Sequence, residues 1–281
     1  TGSVSSSTAE NNKTLTLGTI ALSDGSGSVS NYTLSSGTHQ INITRRPVDL
    51  GGTRVYNGST NATASDLTTL GNLVSGETLN LSGTGILASA AVGSDKSVSV
   101  GTLALSDGSG ESDNYTLSGG TLLLDVTQKD ISLSGSRVYD GTNVANSGSF
   151  STFSGLIGSE TLSVSGSGTV LSALVESNKV VALGDLALAD GSGAATNYNL
   201  NGATLTISKR PINVTLTRVY DGTTNISGSD DPSIENLIGN ETLTLSGSGS
   251  IGSSGAANGK SVTLGSLALS SGTGSESNYT L

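Results

Sequence analysis

The chain contains no cysteine, methionine or tryptophan, only 3 prolines and 1 histidine in 281 residues, and its aromatic content is 3%. Without cysteine there are no disulfide staples, thiolate metal sites or cysteine nucleophiles, so stability rests on sheet hydrogen bonds and packing. Positive charge is scarce as well: 12 Lys and Arg stand against 22 Asp and Glu, for a net charge of −10 and an isoelectric point near 4.4. That balance disfavours nucleic acid and anionic lipid as partners and suits a well-solvated extracellular protein. No apolar run approaches the length of a membrane-spanning helix, and the opening "TGSVSSSTAE" does not read as a signal peptide.

What the chain does have is glycine, 40 residues of it, together with abundant serine. An aperiodic chain of this kind reads as disordered, because too little apolar surface is buried to offset chain entropy. Here the bias is periodic, which favours an array of small folded units. The seven tyrosines fall into two columns: Tyr32, Tyr115, Tyr198 and Tyr279 in Asn-Tyr pairs, and Tyr56, Tyr139 and Tyr220 in "RVYNG", "RVYDG" and "RVYDG". The step from the second column to the first is 59 residues in each copy, and the unit is 83 residues, then 81. The missing pair lies in "NYTLSGGTLLLDVTQK", which becomes "NYNLNGATLTISKR" in the next copy, as expected for a hairpin with a shortened loop. The basic residues also sit in columns (Lys13, Lys96, Lys179, Lys260; Arg54, Arg137, Arg218; Arg46, Lys129, Arg210; Arg45, Lys209), so charges a full unit apart build no patch.

Residues 78–83, 121–126 and 204–208 alternate as half-buried strands do, and no segment sustains a helical period. In "KSVSVGTLALS" the apolar phase reverses across Gly101, as it does across Gly18, Gly184 and Gly265, which predicts a glycine bulge or a bend between sheets. Roughly seven short strands per unit predict an all-β fold of tandem immunoglobulin-like β-sandwich repeats forming an elongated rod. The expected division is 1–46, the C-terminal part of a truncated repeat; 47–129 and 130–210, whole repeats; and 211–281, a repeat without its last strand. Residue 1 aligns with Thr84 and residue 281 with Leu117, so the chain is expected to be a window in a longer array.

Several motifs invite a site. In "DGSG", Asp24, Asp107 or Asp190 with carbonyls and the following Asn suggests calcium, but each copy offers one or two acids and the last has serine instead. A turn with glycines at positive φ fits better. Tyr139 and Asp140 suggest a ligand contact; the preferred reading is a buried tyrosine with a backbone partner beside a tight Asp140-Gly141 turn, whose chemistry Asn57 keeps without the charge. Arg54, Arg137 and Arg218 are expected to pair with Glu77, Glu160 and Glu241. His39 is read as a strand residue, and no serine has a repeated His and acid partner, so no hydrolase triad is supported. Sequons such as Asn31-Tyr-Thr, Asn61-Ala-Thr and Asn240-Glu-Thr are as frequent as the composition predicts. No catalytic, cofactor-binding or metal-ligating residue is assigned, and no enzymatic role or cofactor is expected.

The segments "RVYDGT" (Arg137 to Thr142, Arg218 to Thr223), "GSETLSVSGSG" (Gly158 to Gly168), "LALADGSGAATNYNL" (Leu186 to Leu200) and "TLTISKRPI" (ending at Ile212) resemble YDG repeats and the related mostly bacterial immunoglobulin-like repeats. The resemblance implies tandem repeats of large exported adhesins of the filamentous-haemagglutinin type, secreted by two-partner systems. The implied role is a stalk or fibre on the cell surface, with neighbouring repeats of the same chain as partners and no nucleic acid or membrane insertion. The alternative is an array that itself binds matrix polysaccharide or self-associates through exposed strand edges.

Overall fold

A computed structural model describes all 281 residues. The chain is all-β: short strands account for nearly all regular structure, and the helical segments are single 3-10 turns such as Ser112–Asn114, Ala195–Asn197 and Glu276–Asn278. No helix is long and apolar enough to cross a membrane. Two compact units are formed, Thr1–Lys129 and Asp130–Leu281.

In the first unit a five-stranded sheet runs in the order Thr53–Val55, Leu123–Thr127, Gly93–Ser99, Thr84–Leu87, Asn61–Thr63. Thr53–Val55 joins it parallel to Leu123–Thr127; the other pairings are antiparallel. Separate ladders join Leu79–Ser82 to Ala104–Asp107 and Asp49–Gly51 to Thr69–Gly71, and Arg46–Pro47 runs parallel to Tyr115–Thr116. Glu10–Thr14 pairs with Gln40–Ile43.

The second unit repeats the pattern. A six-stranded sheet has the order Val144–Asn146, Ser167–Val170, Glu176–Ala182, Tyr198–Ser208, Lys129–Val138, Phe150–Ser154, and Leu162–Ser165 pairs with Ala187–Asp190. Further on, Asn225–Ser227, Ser248–Ile251 and Val262–Thr263 form a three-stranded sheet, and Leu243–Ser246 pairs with Ala268–Ser271.

The phase reversal at glycine is a change of sheet. Gly93–Ser99 belongs to the five-stranded sheet, whereas Ala104–Asp107 pairs with Leu79–Ser82. Gly101 turns the chain between them at φ +55°, and a Cβ there would lie 2.4 Å from the Thr84 carbonyl oxygen. Both a left-handed backbone and a close approach therefore demand glycine. Gly18, Gly184 and Gly265 have the same conformation, at φ 54°, 55° and 56°.

One expectation fails. The segment with the two-residue deletion is no hairpin: Tyr115–Thr116 and Leu123–Thr127 each pair with other strands, not with one another. In the second copy the same stretch is one continuous strand, Tyr198–Ser208, so the two extra residues of the first copy break a strand and loop out beside Val48. Not every apolar centre is private to its repeat. One buried cluster contains Leu133, Tyr139, Leu205 and Ile207 together with Ile212, Leu243 and Tyr279, while Ile226, Leu245 and Leu267 form a smaller one.

Replacing Gly101 by alanine is expected to lower the unfolding free energy by roughly 2 kcal/mol or more, from the positive φ and the carbonyl clash together. Gly76→Ala, at φ +84° with open space around it, is expected to cost only about 1 kcal/mol in the same denaturant titration.

Candidate functional site

The recurring polar residues converge at the Asn-Tyr tyrosine. The Tyr198 hydroxyl donates to Glu160 Oε2 at 2.6 Å and accepts the Ile157 N–H at 3.1 Å. Tyr115 donates likewise to Glu77 and accepts from Val74 N; Tyr279 donates to Glu241 and accepts from Ile238 N. Each glutamate closes a tight turn by donating its own N–H to the carbonyl three residues back, at 3.0 Å in all three copies. The tyrosine is thus anchored at both of its hydrogen-bonding positions, as a buried hydroxyl requires.

The second glycine of "DGSG" makes room for that glutamate. A Cβ on Gly110 would sit 2.6 Å from Glu77 Oε2, and on Gly193 it would sit 2.5 Å from Glu160 Oε2. The aspartate caps the 3-10 turn that delivers the tyrosine. Asp107 Oδ1 accepts the Ser112 N–H and hydroxyl, both at 2.7 Å, and Asp190 Oδ1 accepts the Ala195 N–H at 2.7 Å. In the last copy the Ser271 hydroxyl accepts the Glu276 N–H at 3.1 Å, which explains how serine substitutes for the acid. The Ser112 hydroxyl, then its N–H, hold the Asp107 carboxyl below its ordinary range. The motif is a turn, and nowhere do three or more His, Asp or Glu side chains gather as metal ligands would.

The other tyrosine column stands on an arginine-braced turn. Asp140 Oδ1 accepts the Thr142 N–H at 3.0 Å, and Arg137 pairs with Asp140 while donating to the Thr142 carbonyl at 2.5 Å. Arg218 does the same with Asp221 at 3.1 Å and the Thr223 carbonyl at 2.6 Å. In the first copy Asn57 Oδ1 still accepts a turn N–H, that of Ser59 at 3.0 Å, and Arg54 keeps the equivalent carbonyl contacts, to Ser59 and Asn61, while its acid partner becomes Asp66, 3.5 Å away. This is the repeated Arg-Val-Tyr-Asp/Asn-Gly feature. The family described as YDG domain matches residues 39–122, 125–207 and 204–281. The chain belongs to the YDG domain family. No curated protein and no solved structure matches it.

The YDG turn corrects the expected arginine partner. The Arg54, Arg137 and Arg218 guanidinium groups brace their own turn, and the Glu77, Glu160 and Glu241 carboxylates go to tyrosines. Nor does Tyr139 take a backbone partner: its hydroxyl donates to Glu241 Oε1 at 2.7 Å. His39 lies one residue before the strand Gln40–Ile43, with Nε2 2.6 Å from the Leu34 carbonyl oxygen. Asn31, Asn61 and Asn240 are exposed. An open groove of about 660 Å³ is walled in part by Asp49, Asp95 and Asp125. Two of these carboxylates are occupied by backbone, Asp49 by Thr121 N and Asp125 by Asp95 N, each at 2.7 Å.

The lysine column is structural as well. Lys13 Nζ donates to the Ser6 and Thr8 carbonyls at 2.9 and 2.8 Å, and Lys260 Nζ donates to the Ser253 carbonyl at 2.7 Å and to that of Gly255. Lys179 instead meets Glu176 at 2.6 Å. The carbonyl partners show why an extended amine recurs beside this loop. Sequence reasoning missed this because the partners are main-chain atoms.

Burial, then the hydrogen bond to Glu241 and its charge, with Tyr279 adding a smaller push against Asn278, raise the Tyr139 hydroxyl from its ordinary 10.0 to about 12. Burial and the paired glutamate likewise raise Tyr115, Tyr198 and Tyr279. A raised folded-state value favours the protonated form in the native protein. Its contribution is therefore whole below pH 10 and is lost as pH climbs towards about 12. Denaturant midpoints measured across this range are expected to fall together with the appearance of phenolate absorbance. Gly110→Ala, which drives a methyl into the Glu77 carboxylate, is expected to lower the unfolding free energy by roughly 2 kcal/mol in chemical denaturation.

Proposed function

We propose that the chain is a structural segment of a large extracellular bacterial adhesin, in which tandem immunoglobulin-like sandwiches of 81–83 residues form a stalk or fibre that carries a binding region or builds surface filaments. The repeats are 47–129, 130–210 and 211–281, preceded by part of another at 1–46. The observation that carries this reading is the employment of the repeated residues. Tyr115, Tyr139, Tyr198 and Tyr279, the three glutamates they meet, the turn aspartates and the arginines of the YDG turns are used to shape a turn or anchor a neighbouring strand. An enzyme or a receptor holds some of its distinctive side chains open towards a substrate. A spacer needs them for folding.

Composition agrees. A net charge of −10 keeps a long exposed array solvated, and the absence of cysteine leaves it indifferent to redox conditions. Short Arg46-Pro47 and Arg210-Pro211 connections, clamped by hydrogen bonds to Asn72 and Asn236, limit freedom where one repeat gives way to the next. Small-angle scattering of the full chain is expected to give a radius of gyration well above the about 19 Å of a compact globule of 281 residues. A value near that of the globule rejects the stalk. Binding of the full chain to a glycan array would favour the polysaccharide-binding reading instead.

A further inference from the structure

The two tyrosine columns meet. Tyr139, from residues 130–210, and Tyr279, from residues 211–281, donate to the two oxygens of the same Glu241 carboxylate, Tyr139 at 2.7 Å. Their rings pack edge to face, with centroids 5.5 Å apart and planes at 80°. Tyr139 is 4% exposed and Tyr279 1%, whereas Tyr220, in the same column as Tyr139, is 65% exposed. The motif is therefore not buried by its own repeat. What buries Tyr139 is the face carrying Glu241 and Tyr279.

Other contacts surround this pair. A Cβ on Gly141 would lie 2.7 Å from Ile238 Cγ2, so the glycine of the turn is pressed against the loop that carries Glu241. Arg210 holds that loop through the Asn236 carbonyl at 2.7 Å and Oδ1 at 2.6 Å, and reaches the Tyr139 carbonyl at 3.4 Å. The Val175 N–H donates to Asn278 Oδ1 at 3.1 Å. In the first unit the Ala9 N–H, in the same column as Val175, donates to Asn114 Oδ1 at 2.7 Å, and Asn114 shares the column of Asn278. The asparagine of the Asn-Tyr pair thus twice receives a loop from the preceding repeat.

We propose that the Tyr-Asp-Gly turn is a docking element, and that the partner it fits is the Glu and Asn-Tyr face of the next YDG repeat. Docking supplies the tyrosine hydroxyl with a carboxylate and completes the apolar cluster, so adjoining repeats are coupled in stability and not merely strung together. This joint stands whether or not the protein is an adhesin stalk.

Hydrogen exchange on the full chain tests it with Tyr139→Phe, Tyr139→Ala and Tyr220→Ala. Tyr139→Phe keeps the ring and removes the donor. It is expected to speed exchange about tenfold in residues 236–241 and at Val175, leaving the central amides of Tyr198–Ser208 unchanged. Tyr139→Ala is expected to do so more strongly and to split an additional low-temperature transition from the calorimetric melt. Tyr220→Ala is expected to change neither. Unaltered exchange at 236–241 in both Tyr139 variants, an equal rise throughout Tyr198–Ser208, or the same effect from Tyr220→Ala would each overturn the proposal.

Discussion

A phenol hydrogen-bonded to a half-buried carboxylate recurs in three copies along this chain. With 7 Tyr, 2 Phe and no Trp, tyrosine is the main aromatic side chain available to fill the interior beside leucine, and it brings a hydroxyl that costs a few kcal/mol if buried unpaired. The glutamate meets that requirement, and much of the conserved-looking local chemistry within the chain is arranged around the glutamate. A turn presents it, a glycine stands aside for its carboxylate, and an aspartate or serine caps the 3-10 turn that delivers the tyrosine. Removing the glutamate leaves the buried tyrosine hydroxyl without its acceptor, which is more damaging than losing a surface contact.

The consequence is a protein whose specificity is polar although its mean hydropathy is zero. Small apolar centres such as Ile226, Leu245 and Leu267 supply limited burial, and the Tyr139, Ile212 and Tyr279 cluster adds more by joining two repeats. Glycine is abundant because backbone must change sheet abruptly, as at Gly101, or approach a carboxylate closely, as at Gly110. Its entropic cost in the unfolded chain is offset by the register these turns impose. Local rules and tertiary contacts therefore agree at most positions, which is what allows a low-aromatic sequence to specify one fold.

Much of this was legible before the structure. The tyrosine columns, the strand alternation, the sheet change at Gly101 and the turn chemistry shared by Asn57 and Asp140 all follow from spacing and residue type. The arginine pairing was not legible, because two columns of opposite charge invite a long-range ion pair while the nearer partner lies in the same turn: Asp140 is three residues from Arg137. The Glu–Tyr bond did leave a signal. Glu77 to Tyr115, Glu160 to Tyr198 and Glu241 to Tyr279 are each 38 residues apart, a separation kept while the repeat length changes by two. The supposed hairpin failed for a different reason: a turn-like Ser-Gly-Gly marks a break in a strand as readily as a reversal. Which face buries Tyr139 belongs to tertiary packing and is invisible in any single repeat.

The central claim is that phenol and carboxylate are energetically one unit. A double-mutant cycle on Glu77 and Tyr115, using Glu77→Ala, Tyr115→Phe and the pair in chemical unfolding, measures this directly. The account predicts a coupling energy of about 1.5–3 kcal/mol, as for a hydrogen bond to a charged group. Effects that simply add, to within about 0.5 kcal/mol, would contradict it.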